Sequence, residues 1–244
     1  MIEKTVAGHT MKPFDEEMTA LNRVVIQAAA KARDQLAQAL HALDEEDIDL
    51  ARQVIVRDKE IDAMELQADD AVFRIIARRQ PVANDLRDLL AVSKMITDIE
   101  RIGDEARWLA RLTVTFYDDD ARPPNYRLLV DIHKLGHFVD TMFAKAMRAF
   151  AEDEVLLAVE VLRLDVELGE EMKSALRRLS TYLLEDARSV GHVVHITLGL
   201  RGVERIGSHA AYIARHIIFL IKGRDVRHES LEEVERAIGG NSGS

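Results

Sequence analysis

The residues of this chain with the clearest chemical potential are carboxylates at helical spacing. Glu100 and Asp104 stand four positions apart, so on a helix their side chains share one face about a turn apart. Upstream, Asp58, Asp62, Glu65 and Asp69 follow at steps of four, three and four and form a continuous acidic stripe. Like charges at these spacings cost a helix a few tenths of a kcal/mol per pair, on the order of 0.2–0.5. Something must offset that repulsion: arginines from a neighbouring helix, counterions, or a divalent or ferric ion held by oxygen donors. Lys59, Arg101, Arg107 and Arg111 are the cations at hand, and a solvated face moderated by them is the commoner outcome for such a stripe.

Repetition of two of these carboxylates points towards a site rather than an ordinary surface. Glu100-Arg101-Ile102-Gly103-Asp104 recurs as Glu204-Arg205-Ile206-Gly207 at an offset of 104, and Ile55–Glu60 aligns with Leu162–Glu167 at an offset of 107. The chain therefore reads as two copies of one helical unit, each a control for the other. Asp58 is repeated as Asp165 and Glu100 as Glu204. Asp62, Glu65, Asp69 and Asp104 are replaced by Gly169, Met172, Leu176 and Ser208. A carboxylate-bound ion should accordingly be held better by the first repeat. His209 follows Ser208 and reads as a packed or surface residue rather than a ligand, as do His192 and His195 at a helix start. Gly103 and Gly207 sit in helix interiors, where glycine costs roughly 1 kcal/mol relative to alanine. Their retention in both copies points to close approach of two helices.

The elements that position these residues are all helical. Leu21, Val25, Ala28, Ala32, Leu36, Ala39 and Leu43 recur at three- and four-residue steps in the first. A second is expected from about 47 to 79, ending before Pro81, and a third from about 84 to 116 with Leu86, Leu89, Leu90, Ile96, Ile99, Ile102 and Leu109 inward. After a linker at 118–125 the pattern restarts, with Ile132, Leu135, Val139, Phe143, Met147 and Phe150 on a fourth helix. The fifth is expected at about 154–188 and the sixth at about 192–221. Residues 15–117 and 126–222 thus form two three-helix bundles, with a flexible segment at 1–14 and a tail at 223–244 that carries one short helix.

Composition narrows the function. A net charge of −10 argues against nucleic-acid binding, which calls for a basic face. The chain has no cysteine, which removes disulfides, thiolate sites and cysteine nucleophiles. The apolar run Ile217–Ile221 is too short to span a bilayer, and the first residues lack a signal-peptide core, so a cytoplasmic protein without an integral membrane segment is expected. No glutamate precedes a histidine by three residues, which excludes the Glu-x-x-His motif of di-iron bundles. Phosphate loops, His-Glu-x-x-His and Gly-x-Ser-x-Gly are also missing.

An ordered series of segments carries a resemblance. It comprises Arg74-Ile75-Ile76-Ala77-Arg78-Arg79-Gln80-Pro81 with Asp85-Leu86-Arg87, then Glu100–Asp104, Glu204–Gly207, and Lys222-Gly223-Arg224-Asp225-Val226-Arg227-His228. Over residues 15–230 the chain resembles the PhoU family, accessory proteins of bacterial phosphate uptake. The resemblance implies an all-α protein of two tandem three-helix bundles, six long antiparallel helices related by pseudo-twofold symmetry. It also implies a cytoplasmic, commonly dimeric protein that can carry metal on a Glu/Asp-x-x-x-Asp motif in each repeat. That motif falls on Glu100 and Asp104, with Asp98 as a neighbour, and on Glu204, where Ser208 replaces the aspartate. The implied role is non-catalytic. The protein would couple the ATPase subunit of the phosphate transporter to the phosphate-sensing histidine kinase and repress starvation signalling when phosphate is plentiful. The alternative is a carboxylate-bundle metal-binding or metal-storage protein, or a metalloenzyme.

Overall fold

The computed structural model describes residues 12–118, 122–185 and 189–239, and among them every regular element is a helix. The first half holds α1 (Lys12–Asp44), α2 (Ile48–Arg57), α3 (Lys59–Arg79) and α4 (Ala83–Tyr117). A 3-10 turn at Tyr126–Leu128 leads to α5 (Val130–Glu152), α6 (Val155–Glu185), α7 (Val190–Lys222) and α8 (Leu231–Gly239).

The helix ends follow local chemistry. The Asp47 side chain accepts from the Leu50 amide at 2.8 Å and opens α2, satisfying a donor that has no partner within the helix. Gln80 adopts a left-handed conformation just before Pro81 and closes α3. Gly223, with φ of 71°, closes α7, and a side chain there would meet the Arg87 guanidinium. The α8 N-terminus carries a capping box, in which Glu233 accepts from the Ser230 amide at 2.8 Å.

Three details differ from the periodicity. The helix expected over 47–79 is interrupted at Asp58, whose carbonyl accepts from Ile61 at 2.9 Å as well as from Asp62 at 3.3 Å. The break falls where the Asp58 side chain turns inward to buried partners. The N-terminal boundary moves too: α1 begins at Lys12, and Phe14 is buried in the core. Leu90, expected inward, is 45% exposed. The expected C-terminal end of the fifth helix, at 186–188, and most of the N-terminal segment lie outside the described residues.

Packing joins the two halves rather than separating them. Helices α1 and α4 pack together with α2 and α3, and α5, α6 and α7 form the matching set. Helix α4 also packs along α7, and α1 along α5, so one continuous apolar core runs through both repeats. Equivalent residues make equivalent contacts. A Cβ on Gly103 would lie 2.9 Å from Ile61 Cδ1, and one on Gly207 would lie 2.2 Å from Leu168 Cδ2. Ile61 and Leu168 are themselves partners at the offset of 107. Both glycines thus let α4 and α7 approach the outer helix of their own repeat.

Candidate functional site

The close approach at Gly103 sets the site. It brings α4 against the start of α3, so the acidic stripe of one faces the Glu100–Asp104 pair of the other. Ligand oxygens of Asp58, Asp62 and Asp104 lie within 4.8 Å of one another. Glu65 and Asp62 are near enough to Glu100 to act on its charge.

Asp58 is fully buried and fully engaged. Gln35 on α1 donates to its Oδ1 at 2.7 Å and also to the Gly103 carbonyl at 3.0 Å. Arg107 donates to the other oxygen, Oδ2, and holds Asp104 Oδ1 at 2.7 Å with its second arm. Burial pushes the Asp58 carboxyl up, the Gln35 hydrogen bond and Arg107 pull it back, and Asp62 and Asp104 push again; the net direction is upward.

Glu100 has weaker compensation. Its side chain is 13% exposed, and the salt-bridging cation is Arg101, a half-exposed neighbour at 3.5 Å. Burial first, and then Asp104, push its carboxyl up to about 7. Arg101 opposes this; Glu65 and Asp62 reinforce it. A carboxylate held this way favours whatever removes its charge, a proton or a cation. Part of the stripe is therefore neutralised by arginine, and part is not.

The other predicted positions lie elsewhere. Asp69 is exposed a turn beyond Glu65. Asp98 faces away from the cluster, into the α4–α7 interface, where it accepts from His209 Nδ1 at 2.9 Å and pairs with His216 Nε2 at 3.2 Å. Two residues from Glu100 along a helix is more than half a turn around it, which puts the two carboxylates on different faces. In the second repeat Asp165 is pushed up by burial although Arg215 stands 3.8 Å away, and Glu204 adds to the push. Glu204 itself is held by Arg201 at 2.5 Å. His192 and His195 set their rings edge-on to Phe116, and His192 bonds the Arg122 carbonyl at 2.7 Å. Those histidines pack; they do not converge on a carboxylate.

Two contributors escaped the sequence reading. Gln35 sits on the buried face of α1 among Ala32, Leu36 and Ala39, and an amide on an apolar stripe is the signal that could have found it. The His209–Asp98–His216 group had no such signal, because its members come from helices about a hundred positions apart.

Comparison with known proteins places this arrangement. The PhoU domain model matches residues 25–113 and again 132–217. The chain is 37% identical to the phosphate-specific transport system accessory protein PhoU homolog of Pseudomonas aeruginosa, over 100% of both chains. It is 34% identical to the accessory protein PhoU of Escherichia coli K12, over 95% of each. The crystal structure of PhoU from Pseudomonas aeruginosa superposes with a TM-score of 0.81, covering 86% of this chain and all of that one. The phosphate transport system regulatory protein PhoU of Streptococcus pneumoniae, 20% identical, has the same fold with a TM-score of 0.77, over 87% of this chain and 99% of that one. Matched in both halves by one domain model and aligned from end to end with its relatives, the chain belongs to the PhoU family.

Proposed function

We propose that this chain is a non-catalytic regulator of phosphate uptake and of the phosphate-starvation two-component response. The observation that carries the reading is the end-to-end identity with proteins named as accessories of the phosphate-specific transport system. In this reading the chain works in the cytoplasm as a homodimer, with residues 15–117 and 126–222 as its two repeats and 118–125 as the linker. Helical faces dock the transporter ATPase subunit and the phosphate-sensing histidine kinase. Signalling is repressed when phosphate is plentiful. Among the described residues no helix is long and apolar enough to cross a membrane, so docking would be through protein surfaces.

The carboxylate cluster supports a bound divalent or ferric ion as part of the same reading. The donor set fits: all its members offer oxygen, and burial together with the neighbouring carboxylates holds Glu100 at about 7. With Asp58 already taken by Gln35 and Arg107, the ion would fall to Asp62 and Glu100 and would share Asp104 with Arg107, with Glu65 beside them. The ion would supply positive charge there and lock α3 onto α4; Arg107 would keep Asp58 and Asp104 oriented.

Deleting the gene in its own bacterium should raise output from a phosphate-starvation reporter in rich phosphate, and restoring it should return the reporter to its repressed level. Unchanged output on deletion, in a strain without a paralogous copy, removes the reading. The rival, a metal-storage protein or metalloenzyme on the same carboxylates, draws on the unrelieved charge at Glu100. Metal analysis of the purified protein with oxidase and phosphatase assays decides between them, and turnover abolished by Glu100→Ala would favour the rival.

A further inference from the structure

Helix α3 carries an exposed stripe that its copy in the second repeat lacks. Leu66, Asp69, Phe73 and Ile76 recur at steps of three, four and three and line one outer face, with Asp62 a turn before them at the edge of the carboxylate cluster. Leu66 is 69% exposed, Phe73 71% and Ile76 36%. The equivalent positions on α6, at the offset of 107, are Gly169, Lys173, Leu176, Ser180 and Leu183. Lys173 and Ser180 are exposed there, as water-facing positions ordinarily are. At the two positions where α3 exposes Leu66 and Phe73, α6 thus exposes Lys173 and Ser180. Nothing about folding the unit calls for a phenylalanine in water.

We infer that this α3 face docks a cationic amphipathic helix of a partner protein. The apolar residues would take the partner's apolar stripe, and the interleaved carboxylates its lysines or arginines. Charge complementarity decides the occupant. Asp69 interrupts the stripe, and Asp62 and Glu65 stand at its head beside the carboxylate cluster; Arg74 is engaged with Asp70 at 3.2 Å and Arg101 with Glu100 and Asp104, while the exposed Lys59 lies beyond Asp62, away from Leu66 and Phe73. An anionic lipid surface would be repelled by such a face. A second copy meeting it face to face would set aspartate against aspartate, in a chain whose net charge is already −10. The inference rests on the reading of the chain as a regulator that docks protein partners, and it adds the surface and the chemistry of one of them.

The test uses the purified full-length chain and a synthetic helical peptide of about five turns with leucines along one face and lysines on its flanks. Fluorescence anisotropy should show binding that weakens with added salt. Replacing Leu66→Lys together with Phe73→Ser, which installs the second-repeat residues, should weaken it at least about tenfold. The same peptide with glutamate in place of lysine should not bind. Circular dichroism of the double variant should match the parent, since both positions are exposed. Failure of the lysine peptide to bind at about 100 µM overturns the proposal, as does equal binding by the variant or by the glutamate peptide. A wild-type oligomer that dissociates in the double variant by sedimentation overturns it too, by making a second copy the occupant. In cells, the double variant should fail to restore repression where the wild type succeeds. If the wild type itself fails to restore repression, the regulatory reading fails, and the peptide arms still judge the docking surface.

Discussion

Arg33 and Asp140 occupy the same position in the two repeats, 107 residues apart, and pair with one another across α1 and α5. The guanidinium is bidentate, with Nε 2.7 Å from Oδ1 and Nη2 3.0 Å from Oδ2. Equivalent positions that touch each other must lie beside the axis relating the copies, as in an isologous dimer interface. Away from that axis contacts come in reciprocal pairs. Asp98 meets His209, and their counterparts Gly202 and Glu105 meet at 3.3 Å when a Cβ is placed on Gly202.

At the axis itself, Arg33→Asp alone should set two carboxylates together and destabilise the fold by about 1 kcal/mol, since the pair is half-exposed and exposed pairs are worth little more. Arg33→Asp with Asp140→Arg should recover most of it. Urea denaturation of the four proteins completes the cycle.

At the two interior glycines the cost of a methyl should differ. Gly103→Ala gains about 1 kcal/mol of helix propensity and displaces only the tip of Ile61, so it should stay within about 1 kcal/mol of neutral. Gly207→Ala overlaps Leu168 Cδ2 and crowds Val139 as well, and should destabilise by roughly 1–3 kcal/mol. Thermal melts rank them.

Glu100 makes the first repeat sensitive to pH. Its folded carboxyl is held at about 7, above the ordinary value of 4.5, so the folded chain binds a proton more tightly than the unfolded one. That contribution to stability is complete below about 4.5 and is lost as pH rises through about 7. Glu100→Gln should flatten this slope and raise the melting temperature at pH 8 in the presence of a chelator. A divalent cation should raise the melting temperature of the wild type more than that of the variant.

Asp98 runs the other way. Burial would raise its carboxyl, but the hydrogen bonds from His209 and His216 and their charge outweigh it, and it lies below its ordinary value of 3.8. Its stabilisation is present above 3.8 and lost as pH falls through the folded value. Asp98→Ala should cost about 1–3 kcal/mol at neutral pH by leaving the buried His216 and the partly buried His209 without an acceptor, as chemical denaturation would show.

In the second repeat the missing donors can be restored. A side chain at Gly169 would meet nothing within 4 Å, so Gly169→Asp with Ser208→Asp should be accommodated beside Asp165 and Glu204. The ratio of bound metal to protein, by elemental analysis after incubation with a divalent cation, should rise above that of the parent.

Much of this was legible along the chain. The helical stripes, the duplication and the two glycines follow from spacing, because a helix repeats every 3.6 residues and a repeated unit repeats its needs. The pairing of Glu100 with Asp104 follows for the same reason. The break at Asp58 was not legible, since spacing registers the face a residue takes and not the partner that draws it inward. Asp98 stands apart from Glu100 for a related reason: two positions along a helix lead to another face, where His209 and His216 meet it.

What the sequence determined by itself is therefore local and periodic: which faces are apolar, that a helix stops before Pro81, and that one helical unit occurs twice. Only the tertiary structure decided which carboxylates are neutralised and which are not. Arg107 and Gln35 reach Asp58 from α4 and α1, His209 and His216 reach Asp98 from α7, and Glu100 is left with an exposed Arg101. Charge compensation acts over a few ångströms through space, and helices distant in sequence supply it; periodicity along the chain carries no record of that distance.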